Sequence, residues 1–221
     1  LLSVNDEFAD YETWDKASLG GVPKKKEMIP YEYAREALKN GLYLESQTGA
    51  NPFKFGMIGS TDSHTSLSTA EEDNFYGKHS LGLEPNKKRM TNVIGRARDE
   101  VMLGWEQVAS GYAAVWAKEN TRESIFDALK RKEVYATTGS RISLRFFAGW
   151  SFTTQDSDAP NLAEIGYKKG IPMGGDLAAA PQGKSPQFLV AASKDPLGAN
   201  LDRIQVIKGW LDKKGVTHEQ V

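Results

Sequence analysis

An aspartate and a histidine stand two positions apart, at Asp62 and His64, directly after a short apolar stretch. In an extended backbone, side chains two positions apart point to the same side. A carboxylate oxygen and an imidazole nitrogen then approach one divalent ion at about 2.0–2.2 Å. The spacing predicts part of a metal site. The alternative is an Asx-turn made by Asp62 beside a solvated or helix-capping His64.

The loop that contains this pair, residues 60–88, is long and polar and includes a second histidine. Loops of such length inside a compact domain are usually functional or disordered, and we favour a functional loop. Lys78 and His79 are candidate catalytic residues because an ammonium or an imidazole binds an anion or shuttles a proton. A solvated polar loop is the competing interpretation.

A third candidate, Arg141, follows the polar turn at residues 137–140. Its guanidinium and the nearby backbone amides suit a phosphate or carboxylate, so it is predicted to bind substrate. An arginine on the open face of an edge strand is the alternative, and Arg145 would share that face. The remaining histidine, His218, is assigned no role.

The elements that must position these residues are predicted from apolar periodicity and glycine punctuation. Residues 53–59 form an apolar stretch that predicts a buried strand ending near Asp62. An amphipathic helix is predicted from Pro30 to Gly49. A strand–helix–strand unit then follows, with strands at residues 112–117 and 134–137. Its helix begins near Thr121, a capping residue, and is expected to bury Ile125, Phe126 and Leu129.

The apolar period changes to two near residue 140, which predicts antiparallel strands beyond it. One face of the first such strand is predicted to carry Ile142, Leu144 and Phe146, and the other Arg141, Ser143 and Arg145. Two further apolar runs, residues 188–192 and 204–208, flank a turn at residues 195–198 and predict a hairpin-like pair.

Composition excludes several classes of function. The chain has 221 residues, with 28 Lys and Arg against 29 Asp and Glu, so no net field attracts nucleic acid. Mean hydropathy is −0.50, and no apolar run is long enough to span a membrane. Cysteine is absent, which leaves cytoplasmic, periplasmic and extracellular locations open. The first residue is not Met and the last segment resembles a shortened strand, which predicts a piece of a longer protein.

Three strings together resemble an uncharacterised family of domains of unknown function related to the PHP-type (polymerase and histidinol phosphatase) phosphoesterases. They are FGMIGSTDSHTSLSTAEEDNFYGKH, VYATTGSRISLRFFAGW and GANLDRIQVIKGWLD. The resemblance implies an α/β fold in which residues 1–140 are the C-terminal portion of a PHP-like distorted metal-binding β/α barrel. Residues 141–221 would be an antiparallel β-rich, sandwich-like extension.

The resemblance also implies a chemistry. Asp62 and His64 would be the last ligand pair for a divalent ion, Zn, Mn or Fe, and the expected reaction is hydrolysis of a small anionic ester. PHP-like proteins begin with an H-x-H pair, which this chain lacks. The missing N-terminal half of the same protein, or another chain, would complete the site. The alternative is a non-catalytic β-rich module that binds a partner or glycan and uses the Asp-x-His loop structurally.

Overall fold

The computed structural model of the chain describes residue 16, residues 22–63, residue 66, residues 91–103 and residues 111–221. Its helices are a 3-10 helix (Lys26–Tyr31), α1 (Ala34–Thr48), α2 (Arg122–Lys130), α3 (Thr154–Ser157) and α4 (Leu162–Lys169). Its strands are β1 (Val93–Ala97), β2 (Glu100–Leu103), β3 (Tyr112–Val115), β4 (Val134–Thr137), β5 (Ser143–Gly149), β6 (Gly170–Pro172), β7 (Gln187–Ser193), β8 (Lys208–Leu211) and β9 (Thr217–Gln220). Within these ranges no helix is long and apolar enough to cross a membrane.

The strands form four small antiparallel sheets: β1–β2, β3–β4, β6–β5–β7 and β8–β9. A β/α barrel requires parallel strands joined by crossover helices. Here the two strands on either side of α2 pair with each other antiparallel, Tyr112 opposite Thr137 and Val115 opposite Val134. The predicted PHP-like distorted β/α barrel is therefore wrong, and the described residues contain no closed barrel. A domain boundary at residues 140 and 141 stays a prediction.

Helix α1 is confirmed, with a later start than predicted. Pro30 lies in the 3-10 helix, and α1 begins at Ala34 and ends at Gly49, whose φ of 78° suits glycine. The helix is held to β9 by Arg35, whose Nε and Nη2 donate to the two carboxylate oxygens of Glu219, each at 2.8 Å. This paired geometry is the strongest form of a guanidinium–carboxylate contact, so it fixes the helix on the β8–β9 hairpin.

Helix α2 also forms as predicted, but it buries a different face. Thr121 caps its start by accepting a hydrogen bond from the Ser124 N–H at 3.3 Å. Phe126 and Leu129 are 62% and 40% exposed, whereas Ala128 is fully buried. Two positions along a helix correspond to about 200°, so a helix that turns Ala128 inward turns Phe126 toward solvent. The predicted buried stripe is therefore wrong for Phe126 and Leu129, while Ile125 is half-buried.

The hydrophobic core lies between the β6–β5–β7 sheet and α4. Phe147, Phe152 and Leu189 are 1%, 5% and 4% exposed, and Leu162 and Ile165 of α4 pack against them. Burying a side chain of this size stabilises the fold by about 1.5–3 kcal/mol. This cluster therefore fixes how α4 lies on the sheet.

Helix α4 covers the face of β5 that was predicted to carry Arg141 and Arg145. Phe147 is on the same face as Arg145, and Tyr167 of α4 contacts both: its ring lies 5.1 Å from the Phe147 ring, and its hydroxyl lies 3.0 Å from an Arg145 nitrogen. The predicted open face is wrong for Arg145, because Tyr167 of α4 covers this face and contacts the guanidinium. Phe146, predicted to be on the apolar face, is only half-buried.

Two other strand predictions are wrong. Residue 53 lies in a turn and residues 54–59 form no strand, and Phe55, Met57 and Ile58 are 38%, 47% and 59% exposed. The predicted pairing of residues 188–192 with 204–208 is absent, because β7 pairs with β5 and β8 pairs with β9. Apolar content predicted extended backbone at both places, but it carries no information on which strand is the partner.

Helix α3 begins with a side-chain cap that also carries an ion pair. The Asp156 carboxylate accepts from the Thr153 N–H at 2.7 Å and from the Lys169 ammonium at 2.7 and 2.8 Å. Asp156 is only 7% exposed. The Lys169 contact and the Thr153 N–H hold the pKa of this carboxyl below its usual value. The pair therefore ties the start of α3 to the end of α4.

The contact between α4 and β5 depends on the absence of a side chain at Gly166. A methyl group there would lie 2.5 Å from Cδ2 of the buried Phe147 ring. We expect Gly166→Ala to lower the free energy of unfolding by about 1–3 kcal/mol in urea denaturation, because the ring has no space to move. Gly209→Ala is the control, since its methyl group meets Lys39 Cγ at 3.5 Å and the His218 carbonyl oxygen at 3.9 Å, which are ordinary van der Waals distances. Equal stability of the two variants would contradict the close contact.

The Asp156 ion pair predicts acid sensitivity. Its pKa is lower in the folded chain than in the unfolded chain. The pair therefore stabilises the fold fully above the unfolded value of about 3.9, and this contribution is lost as the pH falls through the folded pKa. Urea unfolding at about pH 6 and pH 3 should show a smaller loss of stability for Asp156→Asn than for the wild type. An equal loss in the two proteins would show that the ion pair does not contribute.

Candidate functional site

Asp62 ends an extended segment that lies beside the β3–β4 ribbon, the antiparallel pair of strands β3 and β4. A methyl group at Gly56 would lie 2.9 Å from Val134, at the start of β4, and one at Gly59 would lie 2.7 Å from the carbonyl oxygen of Thr137, at its end. The segment therefore runs in the same direction as β4. Its last residues reach the end of the ribbon formed by the β4 C-terminus and the β3 N-terminus.

Two glycines allow this close approach of backbones. A methyl group at Gly59 would lie 2.6 Å from the Tyr112 carbonyl oxygen, and one at Gly111 would lie 3.0 Å from the carbonyl oxygen of Ser60. Backbone atoms cannot move aside as a flexible side chain can. The position of Ser60, two residues before Asp62, is therefore fixed by main-chain packing against Tyr112 and Thr137.

The backbone at Asp62 turns sharply. Its φ is 47°, in the left-handed region, where aspartate is tolerated better than most residues. The turn is supported by side-chain hydroxyls: the Asp62 N–H donates to Ser60 Oγ and the Ser63 N–H donates to Thr61 Oγ1, each at 3.3 Å. Asp62 itself is exposed. Backbone of this kind costs roughly 1–3 kcal/mol and is concentrated at functional sites.

Arg141 lies at the same end of the ribbon. Its guanidinium carbon is 5.7 Å from the centre of the Tyr112 ring, and Tyr112 also contacts the Gly59 position. Its backbone N–H donates to Asp195 Oδ2 at 2.6 Å, and the Leu197 N–H donates to the other oxygen at 3.0 Å. These two N–H donors, that of Arg141 first, lower the pKa of the Asp195 carboxyl. Asp195 thereby anchors the backbone from which Arg141 extends.

The structure thus places two of the five predicted site residues. Arg141 lies near Tyr112, and Asp62 follows three residues after Gly59, which packs against the Tyr112 backbone. His64, Lys78 and His79 are outside the described residues. Across residues 22–63, 91–103 and 111–221, no group of three or more His, Asp or Glu side chains is arranged to hold a metal ion. Any further ligands for an ion at Asp62 would have to come from elsewhere.

A second cluster of charged residues lies at the opposite end of the β3–β4 ribbon, and the sequence analysis missed it. Glu133, next to β4, is 2% exposed, and its carboxylate accepts from Arg131 Nε at 2.8 Å. The Tyr167 hydroxyl donates to the other carboxylate oxygen, and Arg145 Nη1 lies 3.7 Å from that oxygen. Burial first and then the hydrogen bond to Glu133 raise the pKa of Tyr167. The hydroxyl therefore keeps its proton near neutral pH and donates a hydrogen bond to Glu133.

Trp116, just after β3, completes this second cluster. The Arg145 guanidinium lies 3.3 Å from the centre of the Trp116 ring, and Arg131 Nη2 donates to the Trp116 carbonyl oxygen at 2.7 Å. No local motif announces this arrangement, because its residues come from four separate elements. The one available signal was an acidic residue, Glu133, directly before a predicted apolar strand.

Comparison with known proteins gives one match. The family described as "Protein of unknown function (DUF3604)" matches residues 1–221. This confirms the predicted family of unknown function, while its relation to PHP-type phosphoesterases stays a prediction. Neither a curated protein nor a solved structure matches the chain.

The main-chain packing at Gly59 gives a testable consequence. Gly59→Ala places a methyl group within 2.7 Å of two carbonyl oxygens, so the segment before Asp62 must separate from the β3–β4 ribbon. We expect faster amide hydrogen exchange across residues 54–63, measured by mass spectrometry, with unchanged exchange in β5 and β7. Ser60→Ala is the control, since it removes only one long hydrogen bond. Unchanged exchange in Gly59→Ala would contradict the packing.

Proposed function

The chain belongs to the DUF3604 family, whose function is unknown, and we propose that it is a metal-dependent hydrolase of the phosphoesterase type. The observation that carries the proposal is the position of Asp62. Its segment is fixed by backbone contacts at Gly59, its φ is 47°, and the guanidinium of Arg141 lies near the same tyrosine, Tyr112. A carboxylate and a guanidinium at one end of a strand pair are what an ion and an anionic ester require.

The donor types fit a divalent ion. Asp62 offers an exposed carboxylate, and His64, two positions on, offers an imidazole. Oxygen and nitrogen donors together suit Zn, Mn or Fe. A catalytic ion usually has three protein ligands and one open position. The proposal therefore requires further ligands from residues outside the described ranges, from another segment of the protein or from another chain.

Each residue then has a role. A divalent ion held by Asp62 and His64 would lower the pKa of bound water toward 7 and polarise the ester. Arg141 holds the negatively charged group of the ester through its guanidinium. Lys78 or His79 stabilises the anion or transfers a proton to the leaving group. The substrate class is a small anionic ester, and a phosphate ester is the first candidate.

The proposed relation to the PHP-type phosphoesterases is limited to this chemistry. It rests on the Asp-x-His pair and on the strings that surround it, and it does not extend to the barrel. Under this proposal, the Asp62–His64 ligand pair lies at the end of the antiparallel β3–β4 ribbon.

The proposal predicts linked losses of metal and activity. We expect His64→Ala and Asp62→Asn each to lower bound Zn, Mn or Fe at least about tenfold, since an ion keeps little affinity when one of few ligands is removed. Hydrolysis of p-nitrophenyl phosphate should fall in parallel. Elemental analysis and the phosphatase assay, on the longest form of the protein that can be purified, measure the two effects.

His218→Ala is the matched control. This histidine lies in the β8–β9 hairpin, where its Nε2 is 2.8 Å from Asp212 Oδ2, so its loss should leave metal content and turnover unchanged. Thermal unfolding of all variants separates loss of the site from loss of the fold. Metal content and activity that survive His64→Ala would exclude the Asp62–His64 pair as the metal site. A wild type that binds no metal and hydrolyses nothing would favour the non-catalytic binding module.

A further inference from the structure

The cluster around Glu133 borders an open pocket of about 350 Å³. Seven residues line it: Trp116, Ala117, Lys118, Arg131, Glu133, Arg145 and Tyr167. Its volume lies at the lower end of the range for small-molecule sites, about 300–1,000 Å³. The pocket can therefore take a small ligand.

The charges of this pocket do not cancel. Three of the lining side chains are cationic, Lys118, Arg131 and Arg145, and one is anionic, Glu133. The excess of two positive charges creates a potential that attracts anions. Because Lys118 is exposed and forms no hydrogen bond or ion pair with the described residues, its ammonium is available to a ligand.

The two guanidinium groups are held in place before any ligand arrives. Arg131 is fixed by Glu133 and by the Trp116 carbonyl oxygen, and Arg145 is fixed by the Trp116 ring and the Tyr167 hydroxyl. Arg131 Nη1 and the Nε and Nη2 of Arg145 form no hydrogen bonds with the described residues. Donors that are already ordered lose little entropy when they bind a ligand.

The pocket is separate from the Asp62 site. Trp116 follows β3 and Glu133 precedes β4, whereas Tyr112 and Thr137, which contact the Asp62 segment, stand at the other ends of these strands. Four residues of extended strand span roughly 13 Å. A small ligand in the pocket therefore cannot also contact Asp62.

We propose that this pocket binds a small oxyanion, a molecule carrying a carboxylate or phosphate group. A guanidinium donates two parallel N–H groups to two oxygens of one such group, which gives the best match among simple anions. Lys118 supplies a third positive charge at the rim. Glu133 does not compete for the ligand's position, because its carboxylate is buried and already accepts from Arg131 and Tyr167.

Isothermal titration calorimetry with inorganic phosphate and with acetate tests the proposal, using chloride at matched ionic strength as the reference. Saturable binding of phosphate or acetate is expected in the millimolar range, weaker at high salt. Lys118→Gln should weaken it about threefold, the effect of one exposed charge. Lys213→Gln, in the exposed β8–β9 turn, should bind as the wild type does.

Glu133→Gln should change the affinity for the oxyanion in the opposite direction. Removing the negative charge raises the net charge of the pocket by one, so the oxyanion should bind about threefold or more tightly if the variant folds. Thermal unfolding shows whether Glu133→Gln folds. If it does not fold, the comparison of Lys118→Gln with Lys213→Gln tests the proposal alone. The absence of saturable binding, or equal affinities in Lys118→Gln and Lys213→Gln, would overturn the proposal.

Discussion

The buried carboxylate of Glu133 constrains the structure more than any other described group. Moving a charged carboxylate out of water costs several kcal/mol unless it is paired and fully hydrogen-bonded. Glu133 meets this requirement through Arg131, Arg145 and Tyr167, which come from the end of α2, from β5 and from α4. These elements must converge, because removing any one of them leaves a buried charge partly unpaired.

This convergence links the chain on both sides of residue 140. Besides the Arg145 contacts, three hydrogen bonds connect the β3–β4 ribbon to the start of β5. Trp116 Nε1 donates to the Leu144 carbonyl oxygen at 2.9 Å. The Tyr135 hydroxyl donates to the Ile142 carbonyl oxygen at 2.8 Å and accepts from the Leu144 N–H at 3.2 Å. The apolar period changes near residue 140, but hydrogen bonds and an ion pair join the residues before this point to those after it.

The β3–β4 ribbon has a different chemistry at each end. One end carries Asp62 and Arg141, placed by glycine contacts between backbones, and the other carries a cationic pocket, placed by charge pairing around Glu133. Both depend on antiparallel pairing, because it puts the start of β3 beside the end of β4. In a parallel pair, as in the expected barrel, the C-terminal ends of both strands would lie together at the same edge of the sheet.

The sequence by itself determined part of the local structure, namely helix α1 and the start of α2, while the residues of the first site stay a prediction. Gly49 ends α1 and Thr121 caps α2 because these are properties of single residues and their near neighbours. Asp62 and His64 were predicted because two positions along an extended chain share a side, but the φ of 47° at Asp62 shows that the backbone there is not extended. Only the tertiary structure decided which strands pair, which face of α2 and β5 is buried, and that Glu133 gathers two arginines and a tyrosine from distant segments. Partners far apart in sequence leave no mark in a local pattern, since their contact depends on how the elements pack.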